Sequence, residues 1–218
     1  GEMGNSQNVK IMIATKKILT SVAVFIVIYT MLLLPQLNVN RLYAEYFCSV
    51  GNFLFEDFPR GGFVNLKTQE PKGGNDIALF LSRADWMEGT KIKGVTANKA
   101  SDRIGYLITA FFLALALATP LPWKRKVVLV FGGFILVTLF VLLKFYIIIL
   151  YSYTLVDWFQ LFQEPAQKAR IGFWYSHFAA PATYGYSFVV VLWLALSIGP
   201  KQWKMLNQAI SGYMKPKG

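Results

Sequence analysis

Residues 104–150 read IGYLITAFFLALALATPLPWKRKVVLVFGGFILVTLFVLLKFYIIIL, two apolar runs divided by Trp123-Lys124-Arg125-Lys126. Each run, 104–122 and 127–150, is about as long as the ~20 residues a helix needs to cross ~30 Å of hydrocarbon. A separation of three cations leaves only a tight turn, so the two helices form an antiparallel hairpin. Working outward, 18–37 and 178–199 are two more runs of similar length and character. The expected fold is therefore a membrane all-α protein of four transmembrane helices, with a small α/β segment at 38–103 between helices 1 and 2. The expected organisation is a tail at 1–17, a first span at 18–37, the segment 38–103, a three-helix bundle across 104–199 and a tail at 200–218.

The cations set the orientation. Lys10, Lys16 and Lys17 precede the first span, Lys124, Arg125 and Lys126 fill the turn, and Lys201, Lys204, Lys215 and Lys217 follow the last span. These ten face a single acid, Glu2, whereas 38–103 and 151–177 together hold eleven Lys/Arg and ten Asp/Glu. Such asymmetry is the positive-inside pattern. It puts both termini in the cytoplasm and 38–103 outside, in a bacterial inner membrane. The net charge of +11 would suggest nucleic acid in a soluble chain. Here anionic headgroups are sufficient partners for it, and no nucleic acid is expected. Lysines before the first span resemble a signal peptide, but Leu33-Leu34-Pro35-Gln36 lacks a small-x-small cleavage pattern and reads as an uncleaved anchor. The start Met3-Gly4-Asn5-Ser6-Gln7-Asn8 is similar to a myristoylation signal except that Asn8 stands where Ser or Thr is wanted.

Within 38–103, apolar residues at 42, 43, 46, 47, 50, 53 and 54 recur at helical spacing. This predicts a helix over 42–55, lying on the outer interface or capping the spans, and ended by Pro59-Arg60-Gly61-Gly62. The runs 63–69 and 77–82 around Pro71-Lys72-Gly73-Gly74-Asn75 predict a β-hairpin, with a weaker third strand at 90–95. So small a sheet needs support from that helix or from a partner. Gly132-Gly133 permits close helix approach in the third span.

Candidate chemistry is sparse. Lys144 is the one clear intramembrane charge; it either holds an anion, pairs with Asp157, or lifts its ammonium to the headgroups. With one His and one Cys, no metal donor set exists within the chain, and no phosphate loop or Rossmann glycine pattern suggests a cofactor. Cys48, Arg170 and His177 fall on the outer face in that order. A thiolate paired with an imidazole, with a guanidinium for the oxyanion, is a working nucleophilic set, and exosortases use these residue types in this order. Against it, a lone thiol on the apolar side of a helix is commonly inert packing. Trp158 and Trp174 belong to an aromatic belt, which together with Lys144 and the Lys124-Arg125-Lys126 trio supplies candidate lipid or partner contacts.

The plan resembles the small integral membrane proteins associated with exosortases, which have one span, a short outer β-containing segment and three more spans. The resemblance is carried by Ile104-Gly105-Tyr106-Leu107, by Ala114 through Pro120 with Trp123-Lys124-Arg125, and by Phe173-Trp174-Tyr175 with Pro181–Tyr186. It implies an accessory of envelope protein sorting or surface export, with no catalytic residues to carry over. The leading expectation is thus a non-catalytic accessory or assembly subunit of a cell-envelope complex, with the bilayer and another envelope protein as partners. The alternatives are a membrane transpeptidase or acyltransferase using Cys48, and a small transporter or sensor subunit.

Overall fold

A computed structural model describes residues 2–72, 74–86, 93–159, 161–162 and 164–198. The tail 200–218 and part of the weak third strand (90–92) lie outside the described residues. The chain is mostly helical, with a small antiparallel sheet. Its helices are α1 (Glu2–Leu33), α2 (Val39–Phe55), α3 (Leu107–Ala118), α4 (Trp123–Thr154), α5 (Pro165–Trp174) and α6 (Thr183–Ser197); its strands are β1 (Asp57–Phe58), β2 (Gly62–Lys72), β3 (Asn75–Arg83) and β4 (Gly94–Lys99).

Two helices are long and apolar enough to cross a membrane, Thr15–Leu33 within α1 and the whole of α4; a third is added if α5 and α6, bent by 59°, form one span. The boundaries depart from the four expected runs for reasons of backbone chemistry. α1 stops at Leu33 and a 3-10 turn occupies Pro35–Leu37, because the proline ring cannot continue the helix. α3 ends at Ala118, ahead of Pro120 and Pro122, and its start at Asp102–Tyr106 is a π-helical turn. The last run is broken at Pro181, after a second π-turn at Tyr175–Ala179. Two helices exceed expectation: α1 begins at Glu2, well before the expected 18, and α4 runs for 32 residues, a rise of about 48 Å that is longer than a ~30 Å hydrocarbon core.

α3 is the centre of the bundle, packed by α1, α4 and α6. Close approach is made by glycine. A Cβ on Gly133 would sit 1.9 Å from Phe112 Cζ, and one on Gly185 would sit 2.3 Å from Ile108 Cδ1. Beside Gly132 there is open space, so one member of the pair makes the contact. α4 shows why: Leu129, Gly133, Val137, Val141 and Phe145 form the buried stripe, while Val128, Phe131, Ile135, Leu139 and Leu143 lie exposed.

The sheet runs β1-β2-β3-β4, all antiparallel. Its hairpin is the expected one, with Phe63 opposite Ser82 through Thr68 opposite Ile77; the third strand lies slightly later than 90–95. Val64, Leu66, Ile77, Leu79 and Leu81 alternate onto one buried face. The support expected for this sheet comes from the chain itself. Asn52 of α2 donates Nδ2 to the Leu66 carbonyl (2.9 Å) and accepts from the Leu66 N–H (2.6 Å), filling part of the outer edge of β2. Near the end of α4, the Tyr153 hydroxyl lies between the carbonyls of Phe63 (2.8 Å) and Ser82 (2.9 Å). Arg83 Nη1 reaches the Phe159 carbonyl (3.1 Å), and Trp86 stacks on Trp158 at 5.4 Å. α2 accordingly caps the bundle: Phe47 meets Phe145 edge-on at 5.0 Å, and Tyr43 packs on Tyr106.

Gly133→Ala is expected to cost about 1–3 kcal/mol through overpacking against Phe112, while Gly132→Ala leaves stability unchanged or slightly raised. Thermal unfolding of the two purified variants in one detergent checks this, and equal effects would contradict the α3–α4 register.

Candidate functional site

A cleft of about 720 Å³ lies between the end of α1, the start of α2, the far end of β2 and the π-turn before α3. Each wall follows from local sequence. Pro35 breaks α1 and leaves Leu33 and Leu34 on the cleft's apolar side, joined by Leu107 at the top of α3. Asn38, held in the left-handed region at φ 51°, turns the chain into α2 without a side-chain cap. The first α2 bond is Leu42 N–H to the Asn38 carbonyl, so the amides of 39–41 precede the helical ladder and border the cleft. Arg41 points its Nε to Glu45 (3.2 Å), an exposed pair one helical turn apart.

The acidic side has two kinds of carboxylate. Asp76 is buried and already engaged: Oδ1 accepts from the Ser101 N–H (2.7 Å), and Oδ2 lies 2.5 Å from Ser101 Oγ, which also meets Asn40 Oδ1. This knot ties β3, the π-turn and α2 together. Glu70 is exposed and Asp102 half-buried, and neither has an ion-pair partner among the described residues. Asp102 Oδ1 accepts only the neighbouring Arg103 N–H, at 2.7 Å.

Lys144 does not pair with Asp157. Its side chain is buried within the protein, and its Nζ donates to the Pro181 carbonyl at 3.0 Å. Asp157 instead pairs with Lys168 at 2.9 Å. The bend explains the choice. Gly185 N–H turns to the Ala182 carbonyl (3.0 Å), which leaves the Pro181 carbonyl for the ammonium.

The turn cations also act on carbonyls. Arg125 donates to Ser197 (3.0 Å) at the end of α6, and Lys126 to Leu117 (2.9 Å) at the end of α3. Both are cations at helix C-termini, where the dipole favours them. Lys124 is exposed. Trp158 belongs to the sheet-docking stack, half-exposed, and Trp174 is half-exposed beside Phe173.

The thiol set is dispersed in its contacts. Cys48 is buried on α2, where burial pushes its thiol up to about 11, with the charge of Asp76 adding to the shift. His177 is exposed; its Nδ1 lies 2.8 Å from Ser176 Oγ and 3.0 Å from the Phe173 carbonyl, and its ring stacks on Phe173. Arg170 is exposed on α5. No hydrogen bond joins any two of the three among the described residues. No group of three or more His, Cys, Asp or Glu suited to a metal occurs among them either. Sequence reading missed the cleft because its lining comes from four separate segments.

Comparisons with protein-family models, curated proteins and solved structures returned no match.

Cys48 should resist N-ethylmaleimide at pH 7.5 in the folded protein and react fully after denaturation, because little thiolate exists and the sulfur is covered. Between about 9 and about 11 the unfolded chain has lost this proton while the folded chain keeps it. Alkali therefore destabilises the fold through this group, and Cys48→Ala should flatten that part of the stability–pH curve. Rapid labelling of the native protein would overturn the assignment.

Proposed function

We propose that this protein is a non-catalytic accessory or assembly subunit of a bacterial cell-envelope complex, anchored in the inner membrane by four apolar helices with both termini inside. The exosortase-associated resemblance makes protein sorting or surface export the envelope process to which it would belong. One observation carries the reading: the outer α/β unit is bonded to the end of α4 by Tyr153 and to the turn after it by Arg83, yet leaves binding surface open. The outer edge of β4 has no strand partner among the described residues, and an open edge is a ready template for another chain. A buried thiol with a raised pKa favours this over cysteine chemistry.

The four-helix placement is supported by shared levels at both ends. Arg125 and Lys126, at the start of α4, reach the last carbonyls of α6 and α3, so the three helices end in one plane rich in cations. At the opposite side Tyr106 hydrogen-bonds the Leu32 carbonyl and Lys144 meets Pro181, so the end of α1, the start of α3 and the bend before α6 share a second plane. α3 with its π-turn spans only 17 residues, about 25 Å if helical throughout. It is sheltered by its neighbours, so it need not match the lipid thickness alone.

In a Cys48→Ser background, Lys67→Cys should be labelled from outside by a membrane-impermeant maleimide and Lys124→Cys should not. A photo-crosslinking residue at exposed Asn98 on β4 should give one discrete adduct in native membranes. Labelling of both cysteines from one face would remove the topology, and the absence of any adduct would remove the partner role.

A further inference from the structure

Three chemistries converge on the cleft at the outer end of α1. Its lining includes apolar Leu33, Leu34 and Leu107. One wall offers the uncapped amides of 39–41 together with Arg41, whose Nε alone is spent on Glu45. The same lining carries Glu70 and Asp102, neither of which makes an ion pair among the described residues. An anion-binding edge, a cation-binding edge and an apolar lining together are complementary to a zwitterionic amphiphile. Uncapped helix amides with a guanidinium suit phosphate; unpaired carboxylates suit an ammonium; leucines suit methylene chains.

We propose that the cleft binds a phospholipid whose headgroup carries both a phosphate and a primary ammonium, as phosphatidylethanolamine does. The phosphate lies against the amides of 39–41 and Arg41, the ammonium between Glu70 and Asp102, and the acyl chains descend over Leu33, Leu34 and Leu107. Asp76 takes no part, since Ser101 already fills its oxygens. A lipid with an anionic headgroup and no amine would meet Glu70 and Asp102 as like charges. A soluble cation would leave the leucines and the anion edge unused. At about 720 Å³ the cleft is of small-molecule size, enough for one headgroup and its first methylenes. The proposal rests on the membrane placement above, which puts the outer end of α1 at the lipid boundary.

The test is native mass spectrometry of the full chain released from nanodiscs of equimolar phosphatidylethanolamine and phosphatidylglycerol. The wild-type protein should retain one lipid, with phosphatidylethanolamine favoured about tenfold. Glu70→Gln with Asp102→Asn should abolish that preference, and Arg41→Ala should lower retention of both lipids. Glu70→Gln alone, at an exposed position that the fold tolerates, should reduce the preference about threefold. Equal retention of the two lipids by the wild type, no retention, or an undiminished preference in the double variant would overturn the proposal. So would soluble phosphoethanolamine binding as tightly as the lipid, which would move the ligand from bilayer to solution. A failed lipid preference with correct cysteine labelling indicts the cleft alone, whereas failed labelling indicts the placement.

Discussion

A peptide carbonyl freed where a helix stops or bends needs a new donor, and this protein supplies several such carbonyls with donors from neighbouring segments. Lys144 serves the Pro181 bend, Lys126 and Arg125 the ends of α3 and α6, Tyr106 the end of α1, and Tyr153 the carbonyls of two strands. An unsatisfied buried group costs about 1–3 kcal/mol or more. These long-range bonds therefore fix which helix ends lie together, and the rest of the packing follows from them. α3 can be short because its ends are held from outside, and α6 can begin at a break because Lys144 occupies it.

The same constraint locates the α/β unit. α4 is longer than a ~30 Å apolar layer requires, and its last turns carry the aromatic and hydroxyl groups on which the sheet docks. Tyr153 stacks on Phe58 at 5.4 Å while bonding to both hairpin strands. The sheet thus uses its own chain as the support that its size demands, and the edge of β4 and the cleft beside α1 stay open among the described residues. Cys48, the sole thiol, lies on the inner side of this assembly, where α2 meets the core.

How much of this was legible in the sequence varies with the physical signal. Residues 63–69 and 77–82 announced their hairpin by alternation and a glycine-rich turn, because one face of that sheet is buried and the other is not. Helix α2 was equally plain from its apolar spacing. Lys144 was recognised as unusual, but its partner was not, since a main-chain carbonyl carries no residue-type signature and Pro181 is distant in sequence. The cleft was invisible for a related reason: Arg41, Glu70 and Asp102 are ordinary surface residues until folding brings three segments to one place.

Composition and the distribution of cations by themselves determined that the chain carries helices apolar enough to cross a membrane, roughly where those helices run, and which segments are balanced in charge. Tertiary structure alone decided which face of each helix is core. In water a helix declares its buried face by polar contrast, but along α4 both the inward stripe through Gly133 and Val137 and the outward stripe through Phe131 and Ile135 are apolar. Lipid and protein interior are similar solvents for such side chains, so hydropathy cannot separate them. Shape separates them, and shape exists only once Phe112 has a glycine to lie against.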